Sequence, residues 1–119
     1  MAVQSYRQLV AWQKAMEIVT EIYGLNLPKE EIYGLTSQLR RAAISVPSNI
    51  AEGQGRASTK EFLHHLSIAY GSLMEVETQV LIAGNLRYLR AEEQATILDK
   101  TAEVGRLING LIRSLKAQI

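Results

Sequence analysis

Apolar residues recur at steps of three and four along almost the whole chain, and no stretch sustains the period-two alternation of a half-buried strand. That periodicity restricts the chain to helices, each apolar along one stripe, which must bury those stripes against one another. The first helix is expected over residues 8–23. It carries two adjacent stripes, one of Ala11, Ala15, Ile18, Ile22 and Leu25, the other of Trp12, Met16, Val19 and Tyr23. Together they form an arc broader than a two-position seam, enough to leave apolar surface over once one core is filled. Gly24 is the expected stop, because glycine enters the positive-φ region without a Cβ clash.

Pro28 suits a first helical turn, and Glu30 and Glu31 then lie near the positive end of a helix dipole. The second helix holds Leu35, Leu39, Ala43, Val46 and Ile50 on one face. Pro47 falls inside it. An interior proline costs roughly 3 kcal/mol, through a lost hydrogen bond and a clash four residues back. The apolar spacing nevertheless stays in register from Val46 to Ile50, which predicts one helix kinked at Pro47 rather than two. Ser45, Ser48 and Asn49 are placed to satisfy the freed backbone groups. Gly53 and Gly55 end this helix.

Ser58 and Glu61 form a capping-box pattern at the start of a long third helix, residues 58–86, with Phe62, Leu66, Ala69, Leu73, Val76 and Val80 inward. A connection near Tyr88 leads to a fourth helix from Ala91, with Glu92 and Glu93 in its first turn and Lys116 near its end. Its stripe of Ile97, Thr101, Val104, Ile108, Leu111 and Leu115 steps by four and three, the seam of left-handed bundle packing. The expected fold is all-α: an antiparallel four-helix bundle, up-down-up-down, as a single domain over residues 1–119.

A chain of 119 residues buries a core without a staple, and with no cysteine it has neither a disulfide framework nor thiolate metal ligands. The opening MAVQSYRQLVAWQK lacks the apolar run of a leader, and no stretch approaches the ~20 apolar residues of a membrane span. A cytoplasmic location is expected. Net charge is +1, so any nucleic-acid contact must come from local clustering. The local basic concentrations are Arg40 with Arg41, and Arg56 with Lys60. They read as phosphate contacts or as ordinary surface and salt-bridged residues, with Glu52 four residues before Arg56.

Chemical motifs are few. Glu61 and His64 have the Glu-x-x-His spacing of di-iron bundles, but that site needs a second such motif and two more glutamates. The other histidine, His65, is next door, so the expectation is a capping glutamate, two helix-surface histidines and no cofactor. Glu75 and Glu77 point in different directions, unlike an acid–base pair, and pairing with Arg40 or Arg41 across the second and third helices is the more natural role. No nucleophile elbow, phosphate loop or dinucleotide fingerprint is present.

The segment YGLTSQLRRAAISVPSNIAEGQGRASTK, residues 33–60, strongly resembles the four-helix proteins encoded in intervening sequences of bacterial 23S ribosomal RNA genes. LVAWQKAMEIV, residues 9–19, and FLHHLSIAYGSLMEVETQVLIA, residues 62–83, look like the same family. The centre, from Ser45 to Gly53, is its most specific part; Pro47, Asn49, Glu52 and Gly53 are its structural motif residues, expected to shape the second helix. The resemblance implies the same bundle and no enzymatic activity. A related branch, the accessory variability determinant proteins of diversity-generating retroelements, forms five-fold barrels, works with a reverse transcriptase and binds nucleic acid.

The expected function is therefore a non-enzymatic, self-associating scaffold, a pentamer by resemblance, serving as an accessory factor in an RNA or retroelement system. Its partners would be its own copies and, through Arg40, Arg41, Arg56 and Lys60, nucleic acid or a reverse transcriptase ribonucleoprotein. The alternative is a small metal-dependent or hydrolytic enzyme with an intersubunit site.

Overall fold

The computed structural model describes residues 5–119. The first four residues, and with them the start of the stretch in which no leader is expected, lie outside the described residues. A short 3-10 turn, Tyr6–Gln8, precedes four α-helices: α1 Val10–Tyr23, α2 Leu35–Gln54, α3 Thr59–Asn85 and α4 Ala91–Lys116.

Cross-helix pairs fix the topology. Ser45 meets Ser72 and Asn49 meets His65, so α3 descends as α2 rises. Glu77 meets Thr101 while Gly105 faces Leu73 and Tyr70, so α4 runs against α3. Lys100 reaches back to Glu17 on α1. Each helix packs on two others, α1 and α3 both lying between α2 and α4. Thr20 and Glu21 lie beside Thr96 and Ile97 while Leu9 and Val10 lie beside Arg106 and Gly110, so α1 runs against α4 and the bundle is antiparallel.

The core is built from the expected stripes. Ile18, Ile22, Leu39, Ile50, Leu66, Leu73, Ile97 and Ile108 are fully buried. Each such side chain stabilises the fold by about 1.5–3 kcal/mol relative to exposure. The second stripe of α1 is different. Trp12 and Val19 are half-buried, and Met16 and Tyr23 are exposed. The core takes up most of the arc and leaves Met16 and Tyr23 outside it.

The helix ends differ from expectation in instructive ways. Residues 6–8 are not the start of α1: Ser5 accepts from Arg7 N–H to cap the 3-10 turn, and Leu9 is extended before α1 begins. Gly24 has φ −79°, so α1 stops without any left-handed residue. Pro28 opens only a 3-10 turn, Lys29–Glu31. Glu31 does reach the positive end of α2, its Oε1 accepting from Leu35 N–H at 3.1 Å. Its Oε2 accepts from the Tyr88 hydroxyl, which ties the first loop to the last. Ser58 caps α3 by accepting from Glu61 N–H, but the Glu61 carboxylate accepts from the Ser58 hydroxyl instead of the cap amide. α3 runs on through Gly84 and ends when Arg87 turns to φ 63°. The Arg87 and Tyr88 amides then donate to the Gly84 and Ala83 carbonyls, a Schellman closure with arginine where glycine is usual.

Candidate functional site

α2 continues through Pro47 as one helix, and the residues on either side of that proline build a polar seam into α3. Pro47 is buried. It removes the amide that would bond the Ala43 carbonyl. Asn49 supplies extra bonding nearby. Its Nδ2 donates to the Ser45 carbonyl at 2.9 Å and to Ser45 Oγ at 3.0 Å. Ser45 Oγ in turn shares a 2.8 Å bond with Ser72 Oγ on α3. Asn49 Oδ1 is 3.1 Å from His65 Nδ1. Since a carbonyl oxygen only accepts, His65 Nδ1 carries the proton.

The seam continues toward the α2–α3 turn. His65 Nε2 lies 3.7 Å from Glu52 Oε2, and Arg56 Nη2 donates to the same oxygen at 2.7 Å. The Arg56 guanidinium, with the His65 imidazole behind it, holds the Glu52 carboxyl below the usual carboxylate range. Arg56 also approaches Glu61 at 3.9 Å. Gly53 makes the seam possible. A Cβ there would stand 2.6 Å from the His65 Cβ and 3.0 Å from the Phe62 ring, so only glycine allows α2 and α3 this close. Asn49, Glu52 and Gly53 thus all border His65, within six residues of Pro47 along α2.

The seam is built to hold two helices together. Ser45 and Ser72 bond each other, and His65 Nδ1 is committed to Asn49, so both bonds tie α2 to α3. His65 is a correction to the sequence reading. Its side chain is only 14% exposed and plugs into α2, whereas His64 lies on the surface. Among the described residues no cluster of three His, Cys, Asp or Glu side chains is placed to hold a metal, and no helix is long and apolar enough to cross a membrane.

The basic residues do not converge. Arg40 and Arg41 sit in the first half of α2; Arg56 and Lys60 flank the turn after it, more than ~20 Å away along the axis. The expected pairing of Glu75 or Glu77 with Arg40 or Arg41 does not form. Glu77 Oε2 instead accepts from the buried Thr101 hydroxyl on α4 at 2.8 Å. Arg40 turns toward α1, its guanidinium 4.5 Å from the Tyr23 ring centroid. Arg41 and Glu75 line one hollow between α2 and α3 without an ion pair. Sequence reasoning missed Ser72, His65 and Tyr23 as partners, because each depends on which faces of two helices meet.

These features define an all-helical bundle whose second and third helices are joined by a polar seam at an interior proline. The chain belongs to the 23S rRNA-intervening sequence protein family, whose profile matches residues 7–110. It is similar in fold to a crystal structure of a protein of unknown function from the S23 ribosomal protein family of Bacteroides thetaiotaomicron. That likeness has a TM-score of 0.80 at 22% identity and covers 87% of this chain and 96% of the other. A comparison with curated proteins finds no match.

Proposed function

We propose that the chain is a non-enzymatic scaffold that works as a self-associated assembly, a pentamer by its family resemblance, in an RNA or retroelement setting in the cytoplasm. The observation that carries this reading is the apolar surface left outside the core along α1 and α2. Met16 and Tyr23 on α1, Ile32 before α2 and Ile44 on α2 are each between two-fifths and half exposed. Tyr23 stacks on Arg40, but none of the four belongs to the core, and exposed apolar patches mark interfaces. Nucleic-acid contact would be secondary to assembly. Arg41 and Lys60 make no ion pair among the described residues, and Arg56 is shared with Glu52. Repeated around an assembly, these side chains meet many phosphates at once, giving weak, sequence-independent and salt-sensitive binding.

The test is the solution mass of the wild type beside Met16→Asp and Ile44→Asp. An oligomeric wild type with smaller variants of unchanged helicity supports the reading, and a monomeric wild type overturns it.

A further inference from the structure

Two surfaces of the bundle are chemically matched, and neither is satisfied within one chain. The first is the outer groove between α1 and α2, a hollow of about 370 Å³ walled by Tyr23, Ile32 and Ile44 with Thr36 and Arg40 at its floor. Thr36 is 5% exposed, and its Oγ1 has no hydrogen-bond partner; neither does the sheltered Nε of Arg40. Arg41 lines the same hollow and Lys29 the adjoining one, and no carboxylate lines either. An unanswered donor in an apolar setting is costly unless something supplies an acceptor.

The second surface is the outer ridge of α3. Ile68, Gly71, Glu75, Thr78 and Ile82 follow one another at steps of three and four, and all five are exposed. That spacing is a packing seam, here turned away from the core. Its centre is a carboxylate, Glu75, which makes no ion pair among the described residues. Beside it is Gly71. A mid-helix glycine costs about 1 kcal/mol relative to alanine, and a Cβ at Gly71 would meet nothing within 4 Å. Packing within the chain therefore does not require the missing side chain, whereas a second backbone approaching this ridge would.

We propose that the α3 ridge of one copy docks into the α1–α2 groove of the next, placing Glu75 against Arg40 in trans. This names the interface within the self-association proposed above and rests on that reading. Charge excludes the symmetric alternatives. Groove on groove sets Arg40 and its basic neighbours against themselves, and ridge on ridge sets Glu75 against Glu75, both repulsive. Groove on ridge is attractive and joins two different patches of the same chain. Such a contact is heterologous and repeats from copy to copy, generating a ring when the rotation closes. The Tyr23 ring, stacked on the Arg40 guanidinium, holds the cation where the carboxylate arrives.

Charge exchange tests the pairing. Arg40→Glu and Glu75→Arg should each weaken assembly by more than about thirtyfold, read by sedimentation velocity across a concentration series. The double variant Arg40→Glu/Glu75→Arg should regain assembly, because every interface again joins opposite charges. Circular dichroism of each variant checks that the helices persist, and recovery in the double variant itself shows that neither substitution prevents folding. An assembling wild type whose single variants assemble equally well overturns the interface and leaves self-association standing. Loss in both singles without recovery in the double also overturns it, since the two residues then act at separate places. A monomeric wild type overturns both readings.

Discussion

A Cβ added to Gly53 would stand 2.6 Å from the Cβ of His65, closer than two such carbons approach. The close approach of α2 and α3 depends on that absence. Gly53→Ala is therefore expected to destabilise by about 1–3 kcal/mol, the range for overpacking. Gly55→Ala is the control, since a Cβ there meets only ordinary contacts at 3.5 and 3.6 Å. Urea unfolding should separate the two, with the midpoint of Gly53→Ala well below that of Gly55→Ala. Equal midpoints would mean that the helices are free to move apart.

Asn49 makes two bonds from its Nδ2 to Ser45 and accepts one at its Oδ1 from His65. Asn49→Ala strands the His65 Nδ1–H in a mostly buried position. A loss of about 1–3 kcal/mol is expected, measured by the same denaturant titration. An unchanged midpoint would contradict the role given to the seam.

Much of this was legible in the sequence. The stripes of Leu39, Val46 and Ile50 on α2 and of Leu66, Leu73 and Val80 on α3 follow from period alone, because burial of a helix face is a one-dimensional pattern. Pro47, Asn49, Glu52 and Gly53 stood out as a unit from the resemblance. What the unit touches was not legible. His65 read as a surface residue because its neighbour His64 is one, and the two differ only by the 100° rotation of a helical step. Arg40 and Arg41 read as partners of Glu75 and Glu77 because helical spacing cannot say which side of α2 faces α1 and which faces α3. Gly24 read as a left-handed cap; the left-handed residue is Arg87, at the end of α3, where nothing in its chemistry announces it.

Arg87 at φ 63° carries a backbone cost that glycine avoids. Arg87→Gly relieves that cost, at some expense in unfolded-chain entropy. A net stabilisation of about 0.5–1 kcal/mol is expected, seen as a higher thermal midpoint. A lower midpoint would show that the Arg87 side chain contributes more than its backbone costs.

Stability should fall at both ends of the pH scale. The carboxyls of Glu52, Glu17 and Glu93 are all held below their ordinary value, by Arg56, by Lys100 and by the Arg90 backbone N–H respectively. A folded-state value below the unfolded one stabilises above the unfolded pKa, and that share is lost as pH drops through the folded value. The decline should therefore begin as pH falls past 4.5, the ordinary value of these groups. At the other end the Lys100 ammonium is held above its ordinary value by Glu17, and the Tyr88 hydroxyl is raised by its bond to Glu31. Those shares are present below the unfolded values and lost as pH rises through the folded ones. Chemical denaturation midpoints across pH check the shape, and Glu52→Gln should flatten the acid limb.

Labelled RNA and DNA should bind weakly, without sequence preference, and more tightly at low salt than at physiological salt. Each Arg41, Arg56 or Lys60 that meets a phosphate releases counterions, so affinity falls as salt rises. Titration of single- and double-stranded probes at two salt concentrations checks this. No binding at low salt removes the nucleic-acid role, and equal affinity at both salts removes the mechanism.

The most direct test of self-association is the molar mass of the purified wild-type chain by light scattering over the micromolar range. The expected result is one stable multiple of the chain mass, five by family resemblance, that holds on dilution and disappears when Arg40 or Glu75 is reversed in charge. A single-chain mass at every concentration would contradict it.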